Sequence, residues 1–79
     1  MIKLYQFTHC PFCEKVRQSL ARLGLEYEKI EVDPDRDKRP AIVMERNNGK
    51  VPVLDDNGEI VVESDLIVQY LEKKYSKNQ

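Results

Sequence analysis

The sequence predicts an α/β fold in which four strands form one mixed sheet and three helices flank it, in the order β-α-β-α-β-β-α. Three observations support this prediction: an apolar run over residues 2–7, helical periodicity after Pro11, and a hairpin signal at Asn57-Gly58. The length of 79 residues fits one small domain, so we expect residues 1–79 to fold as a single unit.

The first strand and the first helix have the clearest signals. Residues 1–7 are mostly apolar and predict a strand. Pro11 suits the first position of the following helix, where its missing N–H costs nothing. Gly24 should end this helix as a C-terminal glycine. The apolar face of the helix carries Phe12, Val16, Leu20 and Leu23.

The middle of the chain predicts a second strand and a second helix. Residues 26–32 mix apolar and charged side chains and predict a strand, and a turn or helix entry follows at residues 33–34. Pro40 either kinks the next helix or starts its main part, because proline breaks a helix interior. Residues 41–46 should be helical, and residues 47–49 should stop that helix.

The last third of the chain predicts a hairpin followed by a helix. Strands are expected over residues 51–54 and 60–62, with a turn over residues 55–58 between them. Ser64 or Asp65 can cap the final helix. Its inward positions are Leu66, Ile67, Tyr70 and Leu71. Two parallel strands joined by a right-handed helical crossover, followed by this hairpin, make a thioredoxin-like arrangement.

Composition limits the classes of partner. The chain is 41% hydrophobic and 34% charged, with a formal net charge of -1, so no basic excess points to nucleic acid or to an acidic membrane surface. No stretch is long and apolar enough to span a bilayer, and the first residues do not resemble a secretory signal. A lone Cys-x-x-Cys pair without an export signal favours the reducing cytoplasm, and a monomer is the default expectation.

The pair Cys10 and Cys13 carries the chemistry. Both lie where the first strand gives way to a helix, and the dipole of a helix start favours a thiolate, which is the nucleophile of disulfide exchange. One alternative is half of a zinc site with His9, but structural zinc requires four ligands; another is a pair of inert buried cysteines. The redox dithiol is the better interpretation. Cys10, at the cap, should attack, and Cys13, inside the first turn, should resolve.

Two further motifs have both an ordinary and a functional interpretation. Pro52 at a strand start is by base rate a trans proline. The segment at residues 63–65 is a helix cap in either case, and its free N–H groups can also bind a carboxylate. Arg39 and Lys50 are either solvated surface charges or partners of a second carboxylate.

These motifs together carry a family resemblance. Cys-Pro-Phe-Cys at residues 10–13, Val-Pro-Val-Leu at residues 51–54 and Glu-Ser-Asp-Leu-Ile at residues 63–67 resemble the glutaredoxins and, more narrowly, the amino-terminal thioredoxin-like domain of glutathione S-transferases. The resemblance covers nearly the whole chain. It implies a glutathione-dependent thiol-disulfide oxidoreductase that reduces protein disulfides and glutathione mixed disulfides, with glutathione as cosubstrate and no metal.

The resemblance also implies roles for individual residues. The catalytic pair is Cys10 and Cys13. The glutathione-binding residues are Pro11, Phe12, Arg39, Lys50, Val51, Pro52, Glu63 and Ser64. Pro52 should be cis, the backbone of Val51 should pair with the cysteinyl part of glutathione, and Glu63 and Ser64 should hold its γ-glutamyl end. Either Arg39 or Lys50 should meet the glycyl carboxylate.

Some positions depart from the glutaredoxin pattern. Val61 and Val62 stand where many glutaredoxins have two glycines, and Glu63-Ser64 is more similar to a transferase. The alternatives are therefore the glutathione-binding domain of a transferase-like protein and a glutathione-bridged iron–sulfur module, although Pro11 argues against the latter.

Overall fold

A computed structural model describes residues 1–76 of the chain, and its elements follow the predicted order. The strands are β1 (Ile2–Gln6), β2 (Tyr27–Glu31), β3 (Val53–Asp56) and β4 (Glu59–Val62). The helices are α1 (Pro11–Arg22), α2 (Ala41–Asn47) and α3 (Ser64–Tyr75), and a 3₁₀ turn (Arg36–Lys38) precedes α2.

The four strands form one mixed sheet in the spatial order β2-β1-β3-β4. β1 pairs in parallel with β2 and antiparallel with β3, and β3 pairs antiparallel with β4. The sequence predicted both the parallel pairing of β1 with β2 and the antiparallel hairpin of β3 and β4. The thioredoxin-like mixed sheet is thus confirmed.

Each face of the sheet packs against its own helices, because successive strand residues point to opposite faces. On one face α1 and α3 enclose the larger core. That core contains Ile2, Leu4, Val16, Leu20, Leu54, Ile67 and Leu71. On the other face α2 covers a smaller core of Val32, Val43 and Val53. The neighbours Val53 and Leu54 thus serve different cores.

Glycine and proline residues lie at the boundaries of the helices and strands, as the sequence predicted. Gly24 has φ +70° just beyond α1, and its N–H donates to the carbonyl of Ala21 at 3.0 Å. Pro40 immediately precedes α2, so it starts that helix and does not kink it. Asn57 and Gly58 have φ values of 54° and 101°, as the tight turn of a hairpin requires.

Three expectations about the second half are wrong. β3 begins at Val53, and it includes Asp56, which pairs with Ile2 of β1 and does not belong to the turn. The residue that caps α3 is Glu63, with φ 73°, and no side-chain cap hydrogen bond is formed. Leu66 is 50% exposed, because Ile67 and Leu71 fill the inward face of α3.

Phe12, predicted on the apolar face of α1, is 63% exposed. The buried face of α1 begins one residue later, with Cys13, and continues through Val16 and Leu20. The Phe12 ring is thereby left at the end of the helix where Cys10 lies. None of the helices within residues 1–76 has the length and apolarity needed to cross a membrane.

Candidate functional site

Cys10 occupies the junction between β1 and α1. It is the N-cap of α1, with extended backbone angles (φ -103°, ψ 121°), and its carbonyl accepts the first helical hydrogen bond from the N–H of Glu14 at 2.9 Å. The residue is partly exposed to solvent. Pro11, the first helical residue, fixes the backbone as the helix starts.

Cys13 lies one turn further along α1, and its side chain is fully buried. Burial, aided by the neighbouring Cys10 thiol, raises the pKa of Cys13 to about 12. Cys13 is therefore a neutral thiol near pH 7, while its sulfur stays close enough to Cys10 to interact with it. The predicted contrast between an accessible first cysteine and a buried second one is confirmed.

A cleft of about 320 Å³ opens at this end of the molecule, between the start of α1, the segment before β3 and the start of α3. Its lining consists of Phe12, Asn47, Lys50, Val51, Pro52, Glu63, Ser64 and Asp65. The volume falls at the lower end of the range for small-molecule sites. Cys10 does not itself line the cleft, but it stands two residues before Phe12, which does.

The segment before β3 forms one wall of the cleft. The Val51–Pro52 peptide bond is cis, as the resemblance implied. Asn47 steadies the segment, since its Nδ2 donates to the carbonyl of Lys50 at 3.0 Å. Within residues 1–76, no hydrogen bond reaches the backbone N–H or carbonyl of Val51. A buried or half-buried peptide group needs a partner, so Val51 offers a donor and an acceptor to a ligand.

The start of α3 forms the opposite wall. The first helical hydrogen bond runs from Ile67 N to the carbonyl of Glu63 at 2.9 Å, which leaves the N–H groups of residues 64–66 outside the helical pattern. Asp65 is engaged in an ion pair with Lys15, whereas Glu63 is exposed at the rim. This wall therefore combines N–H donors, which favour a carboxylate, with an acidic side chain, which favours an ammonium group.

Charge is divided across the cleft. Lys50 is exposed on one wall, and Glu63 and Asp65 stand on the other. A ligand that carries both an ammonium group and carboxylates along an extended chain would complement this division. The backbone of Val51, next to Lys50 in the chain, adds a site for an amide.

Arg39 has a different environment from the one the resemblance implied. It is absent from the cleft lining. Its guanidinium donates to three carbonyls, those of Asp33 (3.0 Å), Pro34 (2.9 Å) and Gly49 (2.6 Å), and it lies 5.3 Å from the centroid of the Phe7 ring. Arg39 thus ties together two loops, one of which leads directly into Lys50.

The structure brings most of the predicted binding residues together. Phe12, Lys50, Val51, Pro52, Glu63 and Ser64 share the one cleft; Pro11 and Arg39 lie outside its lining. Sequence reasoning missed Asn47, interpreted as a helix stop, and Asp65, interpreted as a cap. Nothing in the Asn-Asn-Gly run indicated that the side chain of Asn47 donates a hydrogen bond to the carbonyl of Lys50. Within residues 1–76, no group of three or more His, Cys, Asp or Glu residues is arranged to hold a metal ion.

Comparison with known proteins shows a consistent similarity. Residues 4–79 match the family model for the glutathione S-transferase N-terminal domain. A probable glutathione S-transferase of Nicotiana tabacum is 37% identical over 76 residues, which cover 94% of this chain and 33% of that protein. The chain spans about a third of the length of the curated relatives it matches.

Solved structures show the same similarity. A diazinon-metabolizing glutathione S-transferase from the silkworm, Bombyx mori, aligns with a TM-score of 0.87 and 32% identity, over 100% of this chain and 40% of that one. Rice GST1 in complex with glutathione aligns with a TM-score of 0.84 and 32% identity, over 94% of this chain and 33% of that one.

Proposed function

The chain belongs to the family of glutathione S-transferase N-terminal domains, and from that premise we propose that it binds glutathione in the cleft beside Cys10. We propose further that Cys10 exchanges disulfides with the bound tripeptide. The observation that carries the proposal is the convergence of six predicted binding residues on one cleft at the end of the helix that Cys10 caps.

Glutathione matches the chemistry of the cleft group by group. Its γ-glutamyl end carries an ammonium and a carboxylate, which suit Glu63 and the N–H groups at the start of α3. Its cysteinyl amide suits the unpaired backbone of Val51. Its glycyl carboxylate suits the ammonium of Lys50, since Arg39 already donates to three carbonyls. Contacts at both ends of the tripeptide would hold its sulfur in a fixed place and lower the entropic barrier to reaction.

The proposed reaction transfers glutathione between sulfur atoms. The Cys10 thiolate attacks the glutathione sulfur of a mixed disulfide, the S–S bond of the substrate breaks, and the substrate leaves as a thiolate that takes a proton from water. Cys10 is then joined to glutathione by a new S–S bond. The thiolate of a second glutathione attacks that bond, which releases glutathione disulfide and restores the Cys10 thiolate.

Cys13 has a separate part in this scheme. It is buried and protonated near neutral pH, so it is a poor first nucleophile. Its sulfur nevertheless lies close to that of Cys10, where it can attack the Cys10–glutathione disulfide after losing its proton. A glutaredoxin-type reduction of protein disulfides would use this second step, whereas reduction of a glutathione mixed disulfide does not need it.

Turnover of the cysteine–glutathione mixed disulfide, with glutathione as the reductant, tests the proposal. We expect the Cys10→Ser variant to lose turnover and the Cys13→Ser variant to retain at least about half of it, because only Cys10 forms the covalent intermediate. These two variants are matched, because each replaces one sulfur atom by oxygen and the two positions lie one helix turn apart. Full turnover by the Cys10→Ser variant would contradict the proposal.

A second candidate function is conjugation of glutathione to an apolar electrophile. The tobacco relative carries the name of a glutathione S-transferase, and the exposed Phe12 side chain lines the cleft. In this alternative, Cys10 activates the sulfur of bound glutathione and forms no bond with it. Conjugation of an aromatic chloro-dinitro substrate by the parent protein, with no glutathione adduct formed on Cys10, would favour the second candidate.

A further inference from the structure

The turn that leads into Cys10 is fixed by side chains that the proposed reaction does not use. Thr8 lies two residues before Cys10. Its N–H donates to Glu31 Oε2 at 2.9 Å, and its hydroxyl donates to Glu31 Oε1 at 2.9 Å. Its carbonyl accepts from Arg17 Nη2 at 3.0 Å. The polar groups of Thr8 are thus held from two sides, by β2 and by α1.

The two sides are joined through a buried amide. Gln6, only 3% exposed, accepts from Arg17 Nη1 at 2.6 Å and donates to Glu31 Oε1 at 3.2 Å. Hydrogen bonds from Thr8 hold the pKa of Glu31 below its usual value, so the carboxylate is charged at neutral pH. Hydrogen bonds to charged groups are stronger and more directional than neutral ones. We call Gln6, Arg17 and Glu31 the turn clamp.

The turn clamp reaches the backbone of Cys10 itself. The carbonyl of Phe7 accepts a hydrogen bond from the N–H of Cys10 at 3.3 Å and another from Arg17 Nη1 at 3.3 Å. Arg17 and Cys10 thus share one acceptor. A shift of the guanidinium would displace the carbonyl that holds the N–H of the reactive residue.

We propose that Glu31 and Arg17 are positioning residues for the reaction of Cys10. They hold the Phe7–Thr8 backbone so that the Cys10 sulfur lies in line with the disulfide of a bound substrate. This inference rests on the proposed function and extends it to two residues on β2 and α1 that lie outside the cleft lining. Neither side chain takes part in bond making.

The test separates positioning from binding in a Cys13→Ser background. The variants are Glu31→Gln, which removes the charge, and Arg17→Lys, which keeps the charge but loses the forked donor geometry. We expect the rate constant for Cys10 with glutathione disulfide to fall roughly tenfold or more, because a misplacement of about 1 Å costs on the order of a hundredfold. The affinity for S-methylglutathione, which cannot form a disulfide, should stay within about twofold, since the cleft is untouched.

Two further variants serve as controls for a general effect of charge removal and for poor folding. Glu28→Gln makes the same change at an exposed position of the same strand and should alter neither quantity. Thr8→Val removes only the hydroxyl donor and should slow the reaction by a smaller factor. It also provides a milder variant if Glu31→Gln folds poorly. Clamp variants that react at the parent rate, or that lose rate and affinity by the same factor, would overturn the inference.

Alkylation of Cys10 by iodoacetamide distinguishes failure of the turn clamp from failure of the proposed function, because it requires no glutathione. We expect the rate of Cys10 alkylation to differ from that of the parent in the Glu31→Gln and Arg17→Lys variants. In Glu28→Gln this rate should equal that of the parent. If the parent protein forms no disulfide with glutathione but alkylation still responds to the clamp variants, the proposed function fails and the positioning role remains. If the rate of alkylation and the rate with glutathione disulfide are both the same in every variant, the positioning role fails.

Discussion

Two cysteines separated by two residues have opposite environments in this molecule. Cys10 caps α1 and is partly exposed, whereas Cys13 is fully buried and its pKa is raised to about 12. Burial disfavours the charged form of a thiol, which accounts for the raised pKa of Cys13. One turn of helix thus separates a partly exposed thiol from a buried one.

Replacement of Lys50 and Arg39 tests which residue holds the glycyl carboxylate. We expect Lys50→Gln to weaken S-methylglutathione binding by about 1 kcal/mol, or about fivefold, because an exposed ion pair contributes at most this much. The affinity of Lys50→Gln should also lose most of its salt dependence. Arg39→Met should lower the free energy of unfolding by about 2 kcal/mol, through the lost hydrogen bonds to three carbonyls. Titration calorimetry at two salt concentrations and urea unfolding measure these effects.

The matched control for the Lys50 change is Lys38→Gln, at an exposed position of the 3₁₀ turn outside the cleft lining. It should leave both affinity and salt dependence as they are in the parent. A loss of salt dependence in Arg39→Met, with full retention in Lys50→Gln, would reverse the assignment.

At the scale of elements, α3 connects the cleft to a polar cluster at its other end. Its first turn supplies the wall at Ser64, and its last turns supply the partners of Asp56 at the end of β3. Asp56 is only 2% exposed and accepts hydrogen bonds from Tyr75 (2.6 Å), Tyr70 (2.7 Å) and Lys74 (3.1 Å). This cluster fixes the last turns of α3 against the end of β3.

The cluster predicts a dependence of stability on pH. Burial alone would raise the pKa of Asp56, but the hydrogen bonds from Tyr75, Tyr70 and Lys74 outweigh burial and lower it. A carboxyl whose pKa is lower in the folded chain than in the unfolded chain, where it is about 3.9, stabilises the fold above that value and ceases to do so as the pH falls. We expect Asp56→Asn to lower the free energy of unfolding by about 2 kcal/mol at pH 7. Urea unfolding at several pH values measures the effect.

The difference between Asp56→Asn and its parent should shrink as the pH falls below about 4, because the unfolded parent then binds a proton while the folded parent still holds Asp56 as a carboxylate. Glu45→Gln, an exposed change on α2, should follow the parent at every pH. A constant difference between Asp56→Asn and the parent down to pH 3 would show that the charge of Asp56 does not stabilise the fold.

At the scale of the whole molecule, the elements with local causes were predictable from the sequence. Gly24 ends α1 because a glycine adopts positive φ without strain, and the Asn57-Gly58 pair closes the hairpin for the same reason. The cleft residues followed from short motifs, since Val51-Pro52 and Glu63-Ser64 stand at fixed points of a resembling fold. The fold and the cleft residues could therefore be predicted wherever a few consecutive residues determine the local structure.

Features that depend on contacts between distant segments were not predictable. Periodicity placed Phe12 and Leu66 on apolar faces, but neighbouring residues of the helices fill the core, so both are exposed. Asp56 looked like a turn residue because its partners lie 14 to 19 residues away on α3. Arg39 looked like a ligand contact because no sequence pattern reveals that its donors are already used by three carbonyls.

The most direct measurement of the central claim is the intact mass of the folded protein after treatment with glutathione disulfide near pH 7. We expect one glutathione adduct, mapped to Cys10, that persists in the Cys13→Ser variant and disappears in the Cys10→Ser variant. In the parent chain the adduct should give way to an internal disulfide. An unmodified Cys13→Ser protein, or an adduct on Cys13 in place of Cys10, would contradict the account.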